Sequence, residues 1–207
     1  MILKNISTDI KESVIVDDGF VEFEVVGSMN YLGEKSHTRG ANSTSIDAVM
    51  VGKKEKGGNI LVMIEWKYTE SYPPINKYIP ARAKIYDPLL SDTACPIKAA
   101  NPADLYYEPF YQLMRQTLLG WKMAKSNEYG CDEYIHLHII PMDNNDLRET
   151  ITSPGLSGRS MSDAWMNMLV EPERYVVLTP EALIKPAAGI EGTEEVLSYL
   201  SKRYWER

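Results

Sequence analysis

The chain has 207 residues, 44% hydrophobic and 25% charged, the balance of an ordinary soluble globular protein. That length suits one domain with a real core. No apolar run nears the ~20 residues of a membrane span and the N-terminus Met1-Ile2-Leu3-Lys4-Asn5 has no apolar signal core, so a cytoplasmic protein with no membrane partner is expected. Formal net charge is −7, which argues against nucleic acid until its distribution is read: residues 1–49 carry −4, residues 50–125 carry +4 and residues 126–207 carry −7. Cys95 and Cys131 form no CxxC pair, which suggests neither a disulfide framework nor a zinc site; both are read as reduced and structural.

Residues 1–19 leave little room for a helix: Val14-Ile15-Val16 looks strand-like and Asp17-Asp18-Gly19 like a turn. Residues 20–26 set Phe20, Glu22 and Glu24 against Val21, Phe23 and Val25, a period of two that predicts a strand. A loop with Gly27, Gly33 and Gly40 follows. Residues 45–51 and 59–68 read as strands joined by a turn at 52–58, hence a hairpin, with Lys53, Lys54 and Lys56 taken as solvated turn residues. Residues 71–105 are rich in Pro and turn formers and read as a long loop. Phe110, Leu113, Met114, Thr117, Leu118 and Trp121 then recur at helical spacing, with Gln112, Arg115, Gln116 and Lys122 on the other face. A strand at 133–140, a polar loop, a short helix around 162–169, a strand at 175–178 and a brief helix from Pro180 come next. A C-terminal helix at 193–204 has Val196, Leu197 and Leu200 on its apolar side. The order predicts an α/β sandwich with a central mixed sheet flanked by helices.

One constellation carries chemistry. Glu65 and Lys67 stand two apart at the end of an apolar strand and so share a face. Asp47 lies on the neighbouring strand, and the 17 residues between Asp47 and Glu65 suit two paired strands and a turn. Ionic groups at such a place are costly to bury without partners. Two carboxylates and an ammonium can surround one metal and one water. Phosphodiester cleavage needs that combination, because a divalent cation neutralises phosphate charge and activates water, and magnesium binds through one or two carboxylates plus waters.

Asp47 followed by Glu65-x-Lys67 resembles the PD-(D/E)XK signature of restriction-endonuclease-like enzymes. The stretches Thr44-Ser45-Ile46-Asp47, Ile64-Glu65-Trp66-Lys67-Tyr68-Thr69-Glu70 and Tyr111-Gln112-Leu113-Met114-Arg115-Gln116 are similar to a group of bacterial restriction endonucleases in that superfamily. The resemblance implies a single nuclease-like domain over 1–207 with its core at about 20–140. It implies a magnesium-dependent DNA endonuclease, manganese being able to substitute, in restriction or defence. Asp47, Glu65 and the Trp66 carbonyl would be metal ligands, Lys67 would act on the attacking water or the developing charge, and Gln112 would stand near the site. Ile46 replaces the nominal proline. Superfamily members usually carry an N-terminal acidic residue aimed at the site; here the acidic candidates are Glu24, as a further metal ligand, and Glu34. DNA is the expected partner and a homodimer the assembly such enzymes suggest. The alternative is a non-catalytic member of the same fold that binds nucleic acid or protein.

Two further groups stand out. His136 and His138 alternate on a strand, a spacing that zinc can use, but no third ligand is evident and a strand's polar face is the plainer reading. Arg39, Lys77, Arg82 and Lys84, interleaved with Tyr72, Tyr78 and Tyr86, suit phosphate and base contacts and suit a tyrosine-rich loop nearly as well.

Overall fold

Ile60, Leu61, Val62 and Met63 are each 6% exposed or less. A continuous apolar run of this kind is buried fully only in a strand covered on both faces. The computed structural model describes residues 2–16, 18–38 and 43–204 and places that run in β4 (Asn59–Trp66). β4 pairs antiparallel with β3 (Ile46–Lys54) and parallel with β5 (Cys131–Ile139), which runs parallel to β6 (Tyr175–Leu178). Two short antiparallel strands share the outer edge of β3. β1 (Ile10–Val14) pairs with its Val51–Lys54 end, and β2 (Glu22–Val25) with its Ile46–Val49 end. The result is one six-stranded mixed sheet.

Helices cover both faces. α1 (Pro80–Leu90) and α2 (Phe110–Lys125) lie on one side, where Leu61 and Met63 share a core with Tyr86, Leu113, Met114 and Leu118. α4 (Met161–Asn167), which follows a short α3 (Asn145–Glu149), adds Met161, Ala164 and Trp165 to the same core. On the other side, Ile60 and Val62 pack with Leu3, Ile6 and Leu183 of α5 (Pro180–Ile184). α6 (Glu194–Tyr204) ends the described chain. Gly120 lets α2 approach β4 closely, because a Cβ there would meet the Met63 sulfur at 2.5 Å. The expected α/β sandwich with a helix-flanked mixed sheet is therefore found. The sheet reaches beyond residues 20–140, taking in β1 and β6.

The structure corrects several expectations. The segment at 71–105 is not one loop, since it holds α1 and a 3-10 turn at Pro102–Leu105. β3 runs through Lys54, so only Lys56 of the three lysines stays in the turn. Lys54 is largely enclosed and bridges Asp132 and Glu133 at the start of β5, and Lys53 pairs with Glu12 on β1. The apolar side of α6 is only partly covered, with Val196 58% and Tyr199 60% exposed. As expected of residues 1–19, the described residues ahead of β1 hold no α-helix but a 3-10 turn at Ile2–Asn5. The expected turn at 17–19 survives as a bridge between Val16 and Gly19, with Asp17 outside the described residues. Among the described residues no helix is long and apolar enough to cross a membrane. Cys95 and Cys131 are free and buried, and burial raises both thiols, Cys131 to about 12.

Candidate active site

The β3–β4 ladder runs through Val49↔Met63 and Ala48↔Ile64. One step further it sets Asp47 opposite Glu65. Residues directly opposed across two strands share a face. Leu61 and Met63 fix which face, for both belong to the core under α2. Glu65 and Lys67 continue that row past the end of the apolar run, at the carboxyl ends of parallel β4 and β5, where open α/β sheets place their ligands.

Each side chain is held. Asp47 Oδ2 accepts a hydrogen bond from the Trp66 backbone N–H at 2.8 Å. Glu65 and Lys67 are 2% and 6% exposed, and Lys67 Nζ donates to Glu65 Oε1 at 2.6 Å. Gln112 Nε2 donates to the same oxygen at 2.7 Å. Gln116, one helical turn on, donates from Nε2 to Glu65 Oε2 at 2.6 Å and to the Ser45 carbonyl at 3.1 Å. The Lys67 backbone N–H donates to the Ile139 carbonyl at 2.9 Å, tying the site to β5. A cavity of ≈ 340 Å³ opens over this cluster, lined by Thr44, Lys67, Tyr72, Glu108, Gln112 and Arg115.

The electrostatics follow from burial. Burial pushes Glu65 above the usual carboxylate range; Lys67 pulls it back and Asp47 pushes it further up. Burial would lower Lys67, but Glu65, helped by Tyr72 and Asp47, holds the ammonium above its ordinary value. Three donors converge on Glu65, the pattern a carboxylate requires, so the pair is ionic. Both shifts also register Asp47, which places the three charges in one electrostatic cluster.

The donor chemistry suits one magnesium ion. Asp47 and Glu65 offer hard oxygens from facing strands. Among the described residues Asp47 Oδ1 makes no hydrogen bond, and Glu65 Oε2 accepts only from Gln116. A carboxylate oxygen has two acceptor sites, so capacity for a cation remains. Magnesium binds through one or two carboxylates plus waters. Glu24 falls opposite Asp47 in the β2–β3 register, between Phe23↔Ala48 and Val25↔Ile46. It is exposed, with φ 54° in the left-handed region. Among the described residues no three His, Cys, Asp or Glu side chains form a metal-binding group. Glu34 is buried elsewhere, accepting from the Thr44 N–H and hydroxyl and from the Tyr86 hydroxyl.

His136 and His138 do not lie on a wet face. Each is 1% exposed, and in register they neighbour Met63 and Glu65. His138 Nδ1 meets the Tyr175 hydroxyl at 2.8 Å, while the Nε2 atoms of both rings are buried with no hydrogen-bond partner among the described residues. Among the described residues no third ligand joins them. Of the basic and tyrosine group, Arg39 lies outside the described residues. Tyr86 is buried at 3% exposure, Tyr72 lines the cavity, and Arg82 donates to the Lys77 carbonyl at 2.6 Å. Gln116, Arg115 and Glu108 also belong at the site and were not singled out from the sequence. For Gln116 and Arg115 the signal existed, since positions three and four beyond Gln112 share its side of a helix. Glu108 precedes the helix and gave none.

Residues 1–205 match a protein family described as Restriction Endonuclease associating with ARP. No curated protein and no solved structure matches the chain.

Proposed function

This chain belongs to the family of restriction endonucleases associating with ARP, and from that membership we propose that it is a magnesium-dependent nuclease of the PD-(D/E)XK kind that hydrolyses DNA phosphodiester bonds. The observation that carries the reading is the cluster of Asp47, Glu65 and Lys67 on facing strand ends, roofed by Gln112 and Gln116 and open to a polar cavity. Asp47, Glu65 and the Trp66 carbonyl would hold the ion. When bound, magnesium supplies charge neutralisation at the phosphate and a water of lowered pKa.

The protein's own groups do the rest. Gln112 and Gln116 fix the Glu65 carboxylate, one oxygen each, so that it need not reorganise during the reaction. The Trp66 N–H fixes Asp47. Lys67 borders the cavity and carries its charge to the place where the attacked phosphate gains negative charge. There it orients the incoming water or stabilises the developing anion. The water forms the new P–O bond, the ester P–O bond breaks, and the leaving oxygen takes a proton. The family description couples these endonucleases to ARP, and a second component acting beside the nuclease is part of the proposal.

The test is incubation of the pure protein with plasmid and magnesium beside Lys67→Ala. Wild type should cut. The variant should lose cleavage by a factor of about 10²–10⁴, the range for a general base or charge stabiliser, and its melting curve is recorded beside wild type because removing one member of a buried ion pair can unfold a protein. In parallel, Asp47→Asn should weaken manganese binding. Equal cleavage by two equally stable proteins removes Lys67 from the mechanism, and equal manganese affinity removes Asp47 from the ligand set.

A further inference from the structure

Two cations line the cavity over the site, Lys67 and Arg115. Lys67 Nζ is committed to Glu65. Arg115 is committed only along one edge. Its Nε donates to Thr44 Oγ1 at 2.9 Å and stands 3.7 Å from Glu34 Oε1. Its guanidinium centre lies 5.2 Å from the centroid of the Tyr111 ring, over which Arg82 also sits at 5.4 Å. Among the described residues neither Nη group makes a hydrogen bond.

That edge is set from behind. Glu34 is 7% exposed. Its Oε1 accepts from the Thr44 hydroxyl at 2.6 Å and from Tyr86 at 2.5 Å, and its Oε2 from the Thr44 N–H at 2.6 Å. The Thr44 hydroxyl, having given its proton to Glu34, can only accept from Arg115, which fixes the guanidinium plane. Tyr111 supports that plane by cation–π contact. An arginine serving only as counter-charge to Glu34 would turn its fork inward, because two parallel N–H donors to both carboxylate oxygens are the stronger arrangement. Here only Nε approaches Glu34, and four N–H donors are left without a described acceptor on a residue that lines the cavity.

We propose that Arg115 binds a backbone phosphate of the nucleic-acid strand in this cavity, and that Glu34, acting through Thr44, is the positioning residue that aims it. The proposal rests on the nuclease reading for its ligand class. A planar fork matches two phosphate oxygens at once, which a lysine cannot do. Its place on α2, three residues beyond Gln112, puts the held phosphate in the same cavity as Lys67. Arg115 would therefore register the strand against the reacting atoms rather than act on them.

The experiment is fluorescence-anisotropy binding of a mixed-sequence duplex, in calcium and across a salt series, with cleavage in magnesium read on the same proteins. Each neutralised phosphate contributes about 0.9 to the slope of log Kobs against log salt. Arg115→Ala should lower the slope by about one and weaken binding roughly tenfold or more. Arg115→Lys keeps the charge and should keep the slope while still binding more weakly. Thr44→Val, with arginine intact but its anchor gone, should raise KM more than it lowers kcat. Melting curves identify any variant that fails to fold, and Arg115→Lys and Thr44→Val then carry the test. If Arg115→Ala and Arg115→Lys both keep wild-type affinity and slope, the arginine is only a partner for Glu34 and the proposal is overturned, even where wild type cuts DNA. If wild type binds with the arginine-dependent slope but never cuts, the clamp stands and the nuclease reading falls. If wild type neither binds nor cuts, both are overturned.

Discussion

Glu65 is the most heavily tethered group in the site, and its tethers divide by origin. Lys67 comes from just past the end of its own strand; Gln112 and Gln116 come from α2, packed on that face of the sheet. Gln116 is 1% exposed and its Oε1 is buried with no hydrogen-bond partner among the described residues, so it retains a position that would be costly for a glutamine with no task. Its Nε2 joins Glu65 to the Ser45 carbonyl just ahead of Asp47, and so couples the two proposed metal ligands. Gln116→Ala should lower manganese affinity or cleavage by roughly 10–100-fold, the range for groups that orient ligands. Manganese titration with a melting curve checks it. A variant with wild-type affinity and rate shows that Gln116 only fills space. Asp47, Glu65 and Lys67 were legible because spacing on paired strands places them together, and Gln112 only through the family resemblance. Gln116 and Arg115 were read onto the wet face of the helix, since a polar residue beside an apolar stripe looks solvated until the sheet end beneath it is known to be charged.

At the scale of elements, α2 and β6 were legible because their apolar periods match what they bury. α1 was not. Pro80 opens it and Pro88 lies inside it, only Ala83, Tyr86 and Leu90 are buried, and prolines at such spacing ordinarily mark a loop. β5 misled differently. Alternation of His136 and His138 with apolar residues suggests one wet face, yet β5 lies between parallel neighbours in a sheet covered on both sides, where alternation marks no exposure. The consequence is sensitivity to acid. Burial, and secondarily Lys67, pulls His136 down to about 3; burial, His136 and Lys67 hold His138 well below its usual range. In the unfolded chain both titrate near 6.5. Below about 6.5 the unfolded state therefore binds protons that the native state refuses, and stability falls as pH drops from there toward 3. Each histidine contributes a slope of at most about 1.4 kcal/mol per pH unit. Glu65, raised by burial, works in the opposite sense, and two histidines outweigh it. Calorimetry should show a lower melting temperature at pH ~5 than at pH ~7.5, and His138→Gln should flatten that dependence. An unchanged melting temperature over this interval would mean that the rings are protonated in the native state.

For the whole molecule, the contest lies between a net charge of −7 and a polyanionic substrate. The middle third of the chain carries the only positive balance, +4 over residues 50–125, and it supplies β4 and α2, which carry Glu65 and the two glutamines that hold it. Yet the site adds Asp47, Glu65 and Glu108 against Lys67 and Arg115, with Glu34 behind the arginine. Without divalent cations a phosphate entering the cavity therefore meets uncompensated carboxylate charge in a site where solvent screens weakly. DNA binding should be poor in a chelating buffer and rise steeply on adding calcium, which neutralises the carboxylates without supporting efficient cutting. Asp47→Asn removes one of the repelling charges. It should bind DNA better than wild type in the chelating buffer and gain less from calcium, although it cuts less in magnesium. That crossing of the two proteins is what an electrostatic gate predicts and a plain binding module does not, because in a binding module the carboxylates would be surface charges screened by salt alike in both. Gel shifts of wild type and Asp47→Asn, with and without calcium at one fixed salt concentration, decide it. Parallel curves would show that Asp47 neither repels the phosphate nor shares the cation that admits it.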